Sequence, residues 1–240
     1  MAKRKTKKPG CNKTIADYTE AIRLDPANAQ LYVLRGHEYH RHNDYDKAIA
    51  DFTEAIRLEP ANAFNYYSRG EAYHSQDDFE KAIADFTECI KLDSTDADYF
   101  HWRGTSYLLY DEYDNAIADF TEAVRLDPGL AHAFFCRGDA YHSKDECEKA
   151  IADFTEAIRL DPAVAFYYAH RGNVYMFNEE YGKAIADFTE AIKLDPDNYD
   201  YFYKRGDMYN LSNEHDKALD DYFEAVRLDP DNFDYYNHGE

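Results

Sequence analysis

Lys149-Ala150-Ile151-Ala152-Asp153-Phe154-Thr155-Glu156-Ala157-Ile158-Arg159-Leu160-Asp161-Pro162 recurs with little change at an interval of 34 residues. Close copies begin at Lys13, Lys47, Lys81, Asn115, Lys183 and Lys217. A fixed period of this length signals a stack of small like units rather than one globular core. In such a stack the repeated residues build the scaffold, and those that differ between units carry any specificity.

Residues 29–62 show how one unit is made. Tyr32, Arg35, Gly36 and Tyr39 fall on one stripe at helical spacing, and the polar run His42-Asn43-Asp44 follows. Tyr45, Ala48, Ile49, Phe52, Ala55, Ile56 and Leu58 form a second stripe of 3.6-residue period. Pro60 ends it, because proline cannot continue a helix and turns its predecessor away from helical angles. The unit reads as helix, tight turn, helix, tight turn.

Gly36, Gly70, Gly104, Gly138, Gly172 and Gly206 share one column inside the first helix. A mid-helix glycine costs about 1 kcal/mol relative to alanine. Glycines kept in register imply that a side chain there would collide with the partner helix. Ala48, Ala82, Ala116, Ala150, Ala184 and Ala218 form the matching small column on the second helix.

Tyr32, Gly36, Tyr39, Ala48, Phe52, Ala55 and Pro60 resemble the tetratricopeptide repeat (TPR) pattern of an aromatic, Gly, Tyr, Ala-x-x-x-Phe and a closing Pro. The resemblance spans residues 11–232: a half-unit at 11–28, then full units at 29–62, 63–96, 97–130, 131–164, 165–198 and 199–232. It implies an all-α, right-handed superhelical solenoid of stacked antiparallel helix pairs, the first helix of each pair lining the concave face.

Two columns depart from the family pattern. Arg35, Arg69, Arg103, Arg137, Arg171 and Arg205 replace the usual Leu before the glycine. Asp51, Asp85, Asp119, Asp153, Asp187 and Asp221 make an equally complete acidic column on the second helix. A partly buried guanidinium needs a partner, so a ladder of Arg–Asp pairs is expected. Ser94 also stands where other units close with Pro, which predicts a looser turn there.

The second helices are near copies of one another, whereas the first helices vary. Residues expected on the concave face are His37, His40 and Arg41, then Phe64, Tyr67, Glu71 and His74, then His101, Trp102, Thr105 and Leu108. His132, Phe135, Asp139 and His142 follow, then Phe166, Asn173, Met176 and Phe177, and finally Tyr203, Asp207 and Asn210. Aromatic, histidine-rich and mildly acidic, this lining suits a partner peptide with apolar anchors and basic residues. TPR domains that clamp chaperone C-terminal carboxylates use Lys, Asn and Arg at places held here by Val33, His37, Ser68, Asp98 and Trp102, so that ligand is not expected.

His40, His74 and His142 share a column, but equivalent positions in successive units are about 10 Å apart and zinc wants its ligands at about 2 Å. No metal or other cofactor is expected. Acidic residues recur in every unit as caps and outer-face charges, and no unique catalytic constellation or phosphate loop stands out. The chain reads as no enzyme.

The 240 residues carry a formal charge of −21; the first ten contribute +5 of it, leaving −26 for the remainder. An acidic body repels phosphate backbones, so nucleic acid is not expected on the array. Residues 1–10 read as a basic, disordered leader, with RNA, DNA, anionic lipid or a nuclear-import receptor as alternative contacts. No apolar run is long enough to span a bilayer, and no secretory signal follows the basic start. Cys11, Cys89, Cys136 and Cys147 share no column and no C-x-x-C spacing, which fits a reducing, cytoplasmic setting. Residues 233–240 begin a further unit in which Phe233, Tyr235 and Tyr236 look too apolar for a cap. Head-to-tail association through the ends is the alternative role.

Overall fold

A computed structural model describes residues 14–230. All regular structure among them is helical: α1 (Ile15–Leu24), α2 (Ala29–Arg41), α3 (Tyr45–Leu58), α4 (Ala63–His74), α5 (Phe79–Leu92), α6 (Ala97–Leu109), α7 (Tyr113–Leu126), α8 (Ala131–Ser143), α9 (Cys147–Leu160), α10 (Ala165–Phe177), α11 (Tyr181–Leu194), α12 (Tyr199–Leu211) and α13 (His215–Leu228). They fall into two compact units, one ending at Tyr110 and one starting at Asp111. The basic leader, Cys11, Phe233, Tyr235 and Tyr236 lie outside the described residues.

In the first unit α2 packs on α3 and α4 on α5, with α1 against α2 and α6 against α5. In the second, α8 pairs with α9, α10 with α11 and α12 with α13, while α7 packs on α8. Consecutive helices are joined by three or four residues, which makes each pair an antiparallel hairpin. Each unit is thus a stack of helix pairs, as the sequence period requires.

The turn inside a pair has one recurrent solution. Asn43, Asp77, Asp111, Asp145, Glu179 and Asn213 all hold a left-handed backbone, with φ of 58 to 60°. In α2 the N–H of Asn43 donates to the His40 carbonyl at 2.9 Å, and that of Asp44 to the Tyr39 carbonyl at 2.9 Å. This is a Schellman ending, and it satisfies carbonyls that the helix terminus would leave without partners. Asn and Asp tolerate the conformation through local side-chain hydrogen bonds; Glu179 tolerates it less well.

Phe52, Phe86, Phe120, Phe154 and Phe188 are wholly buried, and each such ring contributes about 1.5–3 kcal/mol relative to exposure. Their rings explain the glycine column. A Cβ on Gly36 would stand 2.6 Å from Phe52, on Gly70 2.8 Å from Phe86, and on Gly138 2.8 Å from Phe154. At Gly206 the neighbour is Tyr222, 2.7 Å away. The collision expected from sequence is therefore with a ring of the paired helix, above a fully buried alanine such as Ala48 or Ala150.

The Arg–Asp ladder is present and is bidentate. Arg35 Nε donates to Asp51 at 2.8 Å and its Nη2 at 2.7 Å. Arg69–Asp85, Arg137–Asp153, Arg171–Asp187 and Arg205–Asp221 repeat the geometry. Each joins the two helices of one pair. The hydrogen bond to Asp153 holds the Arg137 guanidinium above its ordinary range.

A third contact ties each pair to the one before it. Arg35 Nη1 donates to Thr19 Oγ1 at 3.0 Å, and the same bond runs from Arg69 to Thr53, Arg103 to Thr87, Arg137 to Thr121, Arg171 to Thr155 and Arg205 to Thr189. Thr155 has already donated its own proton to the Ile151 carbonyl, at 2.7 Å, so its hydroxyl faces the arginine as an acceptor. Phe223 occupies this column on α13 and is largely exposed.

The turn at Ser94 is closed, contrary to the expectation of looseness. Asp93 accepts from the Thr95 backbone N–H at 2.9 Å and from its hydroxyl at 2.7 Å, so a side-chain turn does what Pro does elsewhere. Cys89 is the buried filler its column implies, and its thiol donates to the Ala63 carbonyl. Burial pushes that thiol up to about 12, which keeps it unreactive.

Candidate functional site

The variable residues lie on first helices. In the first unit α2 adjoins α4 and α4 adjoins α6; in the second, α8 adjoins α10. Side chains three, four and seven apart on each helix therefore share a surface with those of the next.

In the first unit histidines bridge successive first helices. His37 on α2 packs edge-on against Phe52, ring centroids 5.1 Å apart, and shares a hydrogen bond of 3.2 Å with Ser68 on α4. His40 bonds Ser75 at 3.1 Å, and His74 on α4 bonds Ser106 on α6 at 3.1 Å. The Ser75 and Ser106 hydroxyls donate to the carbonyls of Glu71 and Trp102, so the imidazoles supply the bridging protons. Burial holds His37, His40 and His74 below the ordinary imidazole range.

Between these bridges lies an aromatic patch. Phe64 is 47% exposed and stacks on Tyr67, with ring centroids 6.1 Å apart and planes 18° from parallel. Tyr67 touches Tyr99 at 5.8 Å and Phe86 at 6.0 Å, and Phe86 stacks on Trp102 at 6.3 Å; burial and nearby Glu71 hold the Tyr67 phenol well above its ordinary range. Burial pushes the Glu71 carboxyl up, Tyr67 opposes this, and nearby Asp98 adds to it. Trp102 itself meets His74 edge-on at 5.3 Å. His101 and Leu108 are half-buried; Thr105 bonds back to the His101 carbonyl at 2.9 Å.

The second unit divides its residues differently. Phe135 is only 7% exposed, packed against Phe154, Phe166, Tyr167 and His170. It is a packing residue between helix pairs, and Phe166 and Phe177 supply the exposed aromatic surface. Asp139 bonds His170 at 2.8 Å, which positions it for the scaffold as much as for a ligand. His142 meets Phe177 edge-on at 6.2 Å, and Met176 packs on the core around Phe188. The buried Nδ1 of His142 and Oδ1 of Asn173 have no hydrogen-bond partner among the described residues.

Tyr203 packs on Tyr222, whose hydroxyl donates to Asp207 at 2.8 Å. Asn210 sits at the end of the face, 2.9 Å from the His215 ring nitrogen. Ser75, Ser106 and His170 escaped the sequence reading, and Ser68 entered it only as a place where a carboxylate clamp is missing, since none of them belongs to a repeated column. The Thr column, not singled out in the sequence, was open to a column reading, because Thr19, Thr53, Thr87, Thr121, Thr155 and Thr189 keep the 34-residue register.

Models described as tetratricopeptide repeat match residues 17–50, 63–96, 97–130 and 171–233, and one described as TPR repeat matches 36–77 and 138–178. No curated protein matches the sequence. Among solved structures, PilF of Pseudomonas aeruginosa aligns with a TM-score of 0.73 at 17% identity, covering 88% of this chain and 96% of that one. MamA from Desulfovibrio magneticus RS-1 aligns with a TM-score of 0.67 at 24% identity, covering 70% and 95%. YrrB, a TPR protein with an unusual peptide-binding site, aligns at 0.63 and 22%, covering 76% and 94%. At these identities the likeness shows the fold alone. The 34-residue period, the helix pairs and the matches along the chain agree: this chain belongs to the tetratricopeptide repeat family.

Proposed function

We propose that the chain is a non-catalytic protein-interaction scaffold that holds a peptide segment of a partner against its first-helix faces. The observation that carries this reading is aromatic surface left open on those faces: Phe64 at 47%, Phe166 at 39% and Phe177 at 62% exposure. A fully buried anchor is worth about 1.5–3 kcal/mol, so two or three support micromolar binding after entropic costs. The acidic body favours basic residues in the peptide. YrrB's peptide-binding site lends support by analogy of fold.

Selection from a displayed random peptide library tests this. Enriched peptides should carry aromatic or aliphatic anchors with Lys or Arg, and should lose binding to a Phe64→Ser/Phe177→Ser variant of unchanged helicity. Enrichment that survives both substitutions would refute the reading.

A second reading rests on α13, where Leu219 and Phe223 are 53% and 72% exposed. It takes a second copy of the chain as the occupant of that face, giving a self-assembling array. Light scattering decides between them: a concentration-dependent mass that Phe223→Thr abolishes favours assembly, and a monomer at all concentrations excludes it.

A further inference from the structure

Glu71 differs from the buried aspartates of the paired helices and from the glutamates of the second helices. Asp51, Asp85, Asp153, Asp187 and Asp221 are each forked by an arginine. Glu54, Glu122 and Glu156, half-buried like Glu71, each have an arginine one turn away. Glu71 is half-buried, and among the described residues it has no cationic partner; the group that favours its charge is the Tyr67 hydroxyl, one turn before it on α4. One hydroxyl leaves most of the carboxylate's acceptor capacity unused. Sequestering a carboxylate without a counter-charge is unfavourable, and an incoming cation relieves it.

The surroundings specify which cation. Glu71, Tyr67 and Phe64 follow one another along one face of α4, and Trp102 of α6 stands beside them, since Tyr67 and Trp102 both pack on Phe86. Aromatic faces beside a carboxylate suit a planar guanidinium, which forks to the two oxygens and stacks its plane and stem on rings. An ammonium makes a point contact and is more strongly hydrated. Seven residues of helix place Phe64 about 10 Å from Glu71. An extended peptide advances about 3.3 Å per residue, so a residue three positions from the one at Glu71 reaches Phe64.

Resting on the peptide-binding reading, we propose that Glu71, Tyr67, Phe64 and Trp102 form an arginine-recognition site for a partner peptide. The peptide carries Arg at Glu71 and an apolar residue three positions away at Phe64.

Trp102 is the chain's one tryptophan, so its fluorescence reports on this site directly. The probes are short Gly/Ser peptides bearing Arg-x-x-Phe or Phe-x-x-Arg, with versions in which Arg is replaced by Lys or by citrulline, which keeps the shape but loses the charge. We expect the better Arg peptide to bind about tenfold more tightly than its citrulline counterpart, as one charge-assisted fork requires. Glu71→Gln should reduce that preference below about twofold, since it keeps the shape of the side chain and removes its charge. Phe64→Ala should weaken Arg and citrulline peptides alike. Equal binding of Arg and citrulline, equal binding of Arg and Lys, or a preference that survives Glu71→Gln would overturn the proposal. Capture of a random peptide pool that needs Phe177 but not Glu71 would overturn it while leaving the peptide-binding reading intact; no capture at all would overturn both.

Discussion

Arg137 shows how much one repeated side chain carries. Its guanidinium is about one-seventh exposed, forks to Asp153 on the paired helix and reaches Thr121 on the preceding one. Removing one partner of such a pair leaves a sequestered charge, at a cost of about 3–5 kcal/mol, whereas surface pairs cost under about 1. Arg137→Leu should therefore lower unfolding stability by several kcal/mol, and adding Asp153→Ala should cost less than the sum of the two single changes. Chemical denaturation of the four proteins checks this; strict additivity would mean the pair does not couple. Glu179 offers the opposite sign. It holds φ of 59° where Asn43 and Asn213 stand in other pairs. Glu179→Asn should stabilise by about 0.5–1 kcal/mol, read as a raised denaturation midpoint.

Helices of the first unit are pinned to one another by imidazoles, and this makes their packing depend on pH. His37, His40 and His74 are held below the ordinary imidazole value of about 6.5 by burial, so the folded state binds fewer protons than the unfolded one near that pH. Stability from these groups is full above about pH 6.5 and is lost as pH falls through their lower folded values. Urea denaturation between pH 7.5 and 5 should show a falling midpoint, and His74→Gln should flatten the fall. A midpoint unchanged over that range would exclude the coupling. The same helices show what the sequence could and could not tell. Helix stripes, the glycine column and the Arg–Asp ladder were legible because each repeats in register. Phe135 was assigned to the ligand face from its position on the helix, yet His170 and Phe166 on the next helix cover it. Which neighbour covers a side chain depends on residues a full period away, and periodicity within one helix does not reveal that. Glu71 was legible as a residue of the face; its missing counter-ion was not.

At the scale of the whole molecule two electrostatic effects oppose each other. With 48 acidic and 27 basic residues, the chain repels itself when compact. Its outer faces also carry many one-turn ion pairs, such as Arg57–Glu54 and Arg159–Glu156, whose arginines are about two-thirds exposed. Pairs of that kind are worth little in water, so the excess negative charge should dominate the salt response. The Debye length shrinks from about 30 Å at 0.01 M salt to about 8 Å at 0.15 M, which screens repulsion between distant acids more than attraction inside a contact pair. Thermal unfolding should therefore shift upward as sodium chloride rises through this range. Binding of an arginine peptide should weaken over the same range, since screening removes the field that draws it in. The two responses have opposite signs, which separates charge acting on the fold from charge acting on the partner. A midpoint that falls with salt would show that the surface pairs outweigh the self-repulsion; peptide affinity indifferent to salt would show that the acidic field plays no part in recognition.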